Sequence, residues 1–461
     1  MFRNKIILLL FFVLLSISAG FGAVTTITGK VTGGNGYIIR LMTYADQVTN
    51  LRQTMASATV NEDESFLLSA DVEQTIYAWL DIEFRQAEIF LQPGKSYDVE
   101  IDLDQASIST SYYDRSPLPL KLNRDDEDHL NMYIRDFNEI YNDFMLNYAG
   151  SIRSGGNAAS YNAFRTAIDL RFKNADNPYF RDYVRYSCAA VEMFLRLKSR
   201  DKAGLEYLTG QPLALRNVEY MDFFRMYFEK YFISGNKYFD FNKTYDLING
   251  SASLVTILDS LSADPVLKDR SLRELVLLSG MKELYTMSGF SKTRILELVR
   301  EISDAGADEE IRKIAGNLLH RFNRLKPGSP APVFNLPSID GTREYGLSDF
   351  IGKYVYLAFF DSGNLASQAE LALIGNIFDE YKAKVGFVAI SVDRDPSNIT
   401  GNPNIPAGTW DLLYYDHNLD LLESYDAIAY PYFILIDDRG RIVRCPAPSP
   451  SEDIRKVLDS I

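Results

Sequence analysis

Hydrophobic and polar positions follow two different rhythms along this chain, and the change of rhythm divides it. Over residues 24–105 apolar positions alternate with polar ones in short runs: Thr25, Ile27, Gly29 and Val31 first, then Ser65-Phe66-Leu67-Leu68, Ile76-Tyr77-Ala78-Trp79-Leu80 and Ala87-Glu88-Ile89-Phe90-Leu91. Gly33-Gly34-Asn35-Gly36 is a hairpin turn leading into Tyr37-Ile38-Ile39, and Pro93-Gly94 turns into Tyr97-Asp98-Val99-Glu100-Ile101. Short strands punctuated this often predict an N-terminal β-sandwich over residues 24–110.

Over residues 118–325 the spacing becomes helical. Leu130, Tyr133, Phe137, Ile140, Phe144 and Tyr148 recur on one helix face, as do Tyr161, Phe164, Ile168 and Phe172, and then Tyr183, Val184, Val191 and Phe194. Further helices are expected around 215–233, 251–262, 270–287, 291–304 and 308–324. The aromatic stripes read as core packing, because every amphipathic helix needs an apolar stripe. Asp125-Asp126-Glu127-Asp128-His129 reads as a helix start, where carboxylates favour the positive end of the dipole, since no calcium-loop spacing accompanies it.

A Pro/Gly/Ser linker at 326–332 precedes a third zone, residues 328–461, in which buried strands alternate with helices. The runs at 354–360 and 385–392 suit parallel strands covered on both faces, with a helix at 365–382 between them. Strands at 432–436 and 441–443 flank the turn Asp437-Asp438-Arg439-Gly440, and a last helix is expected at 451–460. The expected architecture is multidomain: a β-sandwich, an α-helical middle and a C-terminal α/β domain.

Residues 1–22 read as a secretory signal peptide: Arg3 and Lys5, an apolar run from 6 to 15, then small residues. No cysteine follows that run, so a lipid anchor is not expected, and no later segment reaches the ~18 apolar residues of a membrane span. An exported, periplasmic protein follows as the expectation. The net charge of -14 argues against nucleic acid as a partner. Two cysteines and three histidines leave no four-cysteine metal site, and neither a metal nor a cofactor is expected. No Walker A, G-x-G-x-x-G or H-E-x-x-H motif occurs.

Four segments of the third zone stand in the order of the thioredoxin-like superfamily: Gly328-Ser329-Pro330-Ala331-Pro332-Val333-Phe334-Asn335-Leu336, Leu347-Ser348-Asp349-Phe350-Ile351-Gly352-Lys353, Ile390-Ser391-Val392-Asp393, and the stretch from Ala429-Tyr430-Pro431-Tyr432 to Asp437. The zone resembles exported thiol–disulfide oxidoreductases of the TlpA/ResA type and their peroxiredoxin cousins, the redoxins of cell redox homeostasis. The N-terminal strands resemble the β-rich modules that precede such domains in some exported Gram-negative proteins, chiefly at Phe90-Leu91-Gln92-Pro93-Gly94. The resemblance implies a thioredoxin-like fold with a cis-proline at Pro431. It also implies a groove beside Tyr430, Pro431 and Tyr432 in which an extended peptide or exported protein client would lie.

The family places Cys-x-x-Cys at the start of the helix after the first central strand, where the dipole favours a thiolate. Here Asn364 stands at the attacking position and Ser367 at the resolving one, and neither can form a thiolate. An Asn in that place caps the helix. The expected function is therefore a thioredoxin-like protein with a degenerate active site that binds rather than catalyses. The alternative is a thiol–disulfide oxidoreductase or peroxidase-like antioxidant that uses Cys445. For Cys188 and Cys445 three readings stand: buried unpaired thiols, a disulfide between the middle and last domains, or a reactive thiol. Pro431 either frames a client groove or only shapes a turn. A hydrolase pair of Ser367 and His417 lacks the G-x-S-x-G elbow.

Overall fold

The computed structural model describes residues 23–82, 85–103, 117–123, 129–151, 157–234, 237–393, 396–400, 402, 405 and 408–461. The expected signal peptide and the acidic cluster at 125–128 lie outside the described residues.

The chain begins with β1 (Ala23–Thr32), β2 (Ile38–Tyr44), β3 (Arg52–Thr59), β4 (Ser65–Val72), β5 (Ile76–Ile82), β6 (Arg85–Leu91), β7 (Ser96–Asp102) and β8 (Leu120–Leu122). They form two four-stranded sheets, ordered β4-β1-β7-β8 and β3-β2-β5-β6. Alternation explains them: along β4, Phe66, Leu68, Ala70 and Val72 are buried while Leu67, Ser69 and Asp71 face out. Ile27, Leu68 and Val99 from one sheet and Ile39, Leu80 and Ile89 from the other share one apolar cluster. The parallel pair β1 and β7 is close at Gly29, where a Cβ would sit 2.0 Å from the Val99 carbonyl oxygen; only glycine fits. Two strands escape the pattern reading. β3 is too rich in small polar residues to show alternation. β8 is only three residues long, and it lies within 118–325, the stretch expected to be helical, yet it pairs with β7.

Ten helices follow among the described residues: α1 (His129–Ser151), α2 (Asn157–Arg171), α3 (Pro178–Phe194), α4 (Arg200–Tyr207), α5 (Val218–Tyr227), α6 (Phe241–Asn249), α7 (Leu254–Leu261), α8 (Arg270–Leu284), α9 (Lys292–Ala305) and α10 (Glu309–Arg324). Their starts are written in the sequence. Asn177, Asn217, Ser253, Asp269, Ser291 and Asp308 each accept a hydrogen bond from a backbone N–H one turn ahead. The β2–β3 loop is built into the helical layer. Val48 lies in its core, Lys282 donates to the Val48 carbonyl at 2.7 Å, and Asn317 donates to Asp46 at 2.9 Å. Asn131 of α1 holds both backbone groups of Phe90 on β6 at 2.8 Å.

The C-terminal unit comprises β9 (Asn335–Pro337), β10 (Glu344–Gly346), β11 (Tyr354–Phe360), α11 (Leu365–Leu373), α12 (Gly375–Tyr381), β12 (Val385–Ser391), β13 (Asp411–Tyr414), α13 (Leu419–Ser424), β14 (Tyr432–Ile436), β15 (Ile442–Arg444) and α14 (Arg455–Leu458). Its five-stranded sheet runs β13-β12-β11-β14-β15, with β12 and β13 parallel and β14 antiparallel to their neighbours. Along β11, Val355, Leu357 and Phe359 enter one apolar cluster, and Tyr356, Ala358 and Phe360 enter the cluster on the opposite face. That double burial is why the run reads as continuously hydrophobic. The helix expected over 365–382 is two helices, broken at Ile374 ahead of Gly375, a poor helix former. β13 and α13 had no sequence signal beyond a four-residue apolar run. The helix expected at 451–460 shrinks to a 3-10 turn at 450–452 and the short α14. Among the described residues no helix is long and apolar enough to cross a membrane.

Candidate functional site

The site lies where β11 ends and α11 begins, at the C-terminal edge of the parallel strands, the place where open α/β sheets leave a crevice. Asn364 caps α11. Its Oδ1 accepts from the Ala366 N–H at 2.8 Å and the Ser367 N–H at 3.3 Å. Its Nδ2 donates to the Tyr430 carbonyl oxygen at 3.3 Å, so one side chain joins the helix start to the loop before Pro431. The Tyr430–Pro431 and Cys445–Pro446 peptide bonds are both cis. Ser367 is fully buried, its hydroxyl 3.5 Å from the Asp361 N–H that it accepts from.

Two carboxylates that the sequence reading did not weigh as a site stand beside this turn. Asp361 follows β11 and Asp393 follows β12. Asp393 accepts from the Ser362 hydroxyl at 2.6 Å, the Ser362 N–H at 3.1 Å and the Ser391 hydroxyl at 2.5 Å. Asp361 accepts from the Gly363 N–H at 2.8 Å. Burial pushes the Asp361 carboxyl above the usual carboxylate range and Asp393 adds to that, while the Gly363 N–H opposes it. The pair arises because adjacent parallel strands end side by side, which no local motif announces.

Beyond the loop, a cleft of about 340 Å³ is lined by Ala366, Glu370, Pro431, Tyr432, Pro446 and Ser449 among others. Tyr432 meets this cleft. Tyr430 does not present its ring as a surface: it is 8% exposed, packs in the core and donates its hydroxyl to the Ala427 carbonyl at 3.1 Å. Of the residues expected to frame the groove, Tyr430 therefore presents no exposed ring. The side chains that do stand in solvent nearby are Leu365, 78% exposed, and Ile428, 59% exposed. Leu365 is the first residue of α11 and Ile428 stands between two alanines, and sequence pattern alone does not say which apolar side chain at such a position stays in solvent.

Cys188 and Cys445 are both free. Cys188 lies in the core shared by α1, α2 and α3, and Cys445 packs at the edge of the C-terminal core, so the disulfide, one of the three readings of these cysteines, is not formed. Burial pushes both thiols up, Cys188 against the opposing Arg165 guanidinium at 3.0 Å and Cys445 against the Tyr432 hydroxyl at 3.3 Å. His417 hydrogen-bonds the Tyr414 hydroxyl at 2.9 Å and the Tyr415 hydroxyl at 3.4 Å.

Helix α13, just ahead of the Tyr430 loop, is held to the N-terminal strands by charge. Arg40 reaches Asp420 at 2.7 Å and Arg52 reaches Glu423 at 2.5 Å, and both guanidinium groups also hold Asp81 at 3.1 Å. Asp81 is 2% exposed, so two cations converge on one buried carboxylate.

No family model matches the chain. It is 26% identical over 124 residues to the thiol–disulfide oxidoreductase ResA of Bacillus thuringiensis subsp. konkukian, covering 26% of this chain and 69% of that protein. To ResA of Geobacillus thermodenitrificans it is 27% identical over 150 residues, covering 32% and 85%. Among solved structures, the thioredoxin domain of a thiol–disulfide oxidoreductase from Bacteroides vulgatus aligns with 30% of this chain and 99% of its own, at 26% identity and a TM-score of 0.26. A thioredoxin-like protein from Bacteroides caccae aligns with 48% of this chain and 80% of its own, at 15% identity and a TM-score of 0.32. Over about a quarter to a third of its length, then, this chain is similar to TlpA/ResA-type thioredoxin-like proteins.

Proposed function

We propose that this is an exported, periplasmic thioredoxin-like protein with a degenerate active site, which binds an extended peptide or protein client without exchanging disulfides. Residues 1–22 serve as its signal peptide, 24–110 as a β-sandwich, 118–325 as a helical domain and 328–461 as the thioredoxin-like domain. One observation carries the reading: between Asp361 and Gln368 there is no sulfur, and the attacking position is filled by Asn364, whose side chain is spent on the α11 cap and the Tyr430 carbonyl. Disulfide exchange begins with a thiolate attacking sulfur, so a helix start without a thiol has no first step. Leu365 at the start of α11 and Ile428 in the loop before Pro431 are both exposed and offer apolar contact to an extended segment. Asn364 already engages the Tyr430 carbonyl, so a client would share that acceptor or bind chiefly through side chains.

Turnover through Cys445 has less support, because burial raises its pKa and leaves little thiolate at neutral pH. The binding reading is tested with the reduced, alkylated insulin B chain as an extended probe, measured by fluorescence anisotropy on the full chain. Binding that weakens about tenfold in Leu365→Asp or Ile428→Asp supports the groove. Binding unchanged in both variants, or no binding at all, overturns it.

A further inference from the structure

A second cleft, of about 750 Å³, opens in the helical layer between α2, α3 and α4. That is within the range of about 300–1,000 Å³ typical of small-molecule sites. Part of its wall is apolar and aromatic, formed by Ile168 and Phe172 from the α2 side and Phe180 and Val184 from α3, with Cys188 at 2% exposure among the lining groups. Arg181, Val184, Arg185 and Cys188 recur at three- and four-residue spacing, which places cations and apolar groups on the same face of α3.

The charges are arranged unequally. Arg165, Lys173, Arg181 and Arg185 line the cleft against three carboxylates, Asp169, Glu192 and Glu206. Glu192 and Glu206 are both taken up by Lys198, at 2.7 Å each. Arg185 stacks over Tyr186 and Tyr207 and donates to Gln211 at 3.2 Å, and Arg181 pairs with Asp176 at 3.4 Å in solvent, a contact worth little. A group of cations beside an apolar wall runs against the grain of a chain with a net charge of -14.

We propose that this cleft binds a single-chain anionic amphiphile. The alkyl tail lies against Ile168, Phe172, Phe180 and Val184, and the anionic head lies among Lys173, Arg181 and Arg185. Arg165, already turned to Cys188 at 3.0 Å and Asp169 at 3.3 Å, closes the inner end. Carboxylate and phosphate heads share this chemistry.

The test uses the full chain and a dansyl-labelled undecanoate as reporter, displaced by laurate, monododecyl phosphate or dodecanol. Laurate or the phosphate should displace the reporter about tenfold better than the alcohol, as expected for a charge-assisted head contact, and the tighter of the two names the head. Lys173→Glu with Arg181→Glu, both exposed, should remove that preference and leave dodecanol unchanged. Val184→Trp should weaken all three by filling the tail space; its far-ultraviolet circular dichroism checks that it folds. An alcohol as effective as the anions, a charge-reversed variant that keeps the preference, or a reporter that cannot be displaced would overturn the proposal.

Discussion

The side-chain amide of Asn364 donates to the carbonyl of Tyr430 at 3.3 Å while its oxygen caps α11. One residue thereby does two structural tasks at the start of α11. Asn364→Ala removes both, and losing the cap alone should cost about 1 kcal/mol. Asn364→Asp keeps the cap and loses the donor, so it should fall between the two. Chemical denaturation of the three proteins checks the order; a wild-type midpoint in Asn364→Ala would show that the bridge contributes nothing.

Both thiols should be slow. Burial raises the pKa of Cys188 and Cys445, and the thiolate is the reactive form. Alkylation of the native protein at neutral pH, followed by intact mass, should show both cysteines lagging far behind the same protein in denaturant. Rapid native labelling of Cys445 would revive the oxidoreductase alternative.

How far the sequence could be read follows from how local each signal is. The four thioredoxin-like segments and the absence of sulfur from residues 361–368 were visible because each is a short string. The helix periodicity at Tyr161, Phe164, Ile168 and Phe172 was also local, as was the run Ser65-Phe66-Leu67-Leu68 of β4. The pairing of Asp361 with Asp393 was not, because it depends on β11 and β12 ending side by side. The insertion of Val48 into the helical core was hidden for the same reason: its partners are more than 200 residues away, among them Lys282. Tyr430 was misread because an aromatic residue beside a proline looks the same in sequence whether its ring turns outward or into the core.

The Asp81 cluster should govern how α13 is held. Removing one partner of a buried ion pair leaves uncompensated charge, at a cost of about 3–5 kcal/mol. Asp81→Ala strips Arg40 and Arg52 of their shared carboxylate and should destabilise the chain accordingly. Amide exchange over residues 419–424 should accelerate with it, since the same guanidinium groups hold Asp420 and Glu423. Unchanged exchange there would separate the cluster from α13.

Glu219, half-buried at the start of α5, has its pKa raised from 4.5 to about 7, chiefly by burial; Asp222 adds to the rise, while Ser187, Tyr183 and Arg225 oppose it. The folded state therefore holds this proton more tightly than the unfolded chain. Its contribution to stability is full below pH 4.5 and is lost as pH rises to about 7. Glu219→Gln should flatten that stretch of the stability curve and stabilise the protein above it, by at most about 3 kcal/mol at ~1.4 kcal/mol per pKa unit. Urea midpoints across the range decide; parallel curves for the two proteins would reject the assignment.

The most direct measurement is insulin-disulfide reduction with dithiothreitol, comparing the wild-type chain, the Cys188→Ser/Cys445→Ser variant and the Asn364→Cys/Ser367→Cys variant. Wild type and the cysteine-free protein should both run at the uncatalysed rate, while the variant with cysteines placed at the α11 start should turn over, since the helix dipole there favours a thiolate. Wild-type turnover above that of the cysteine-free protein would contradict the account.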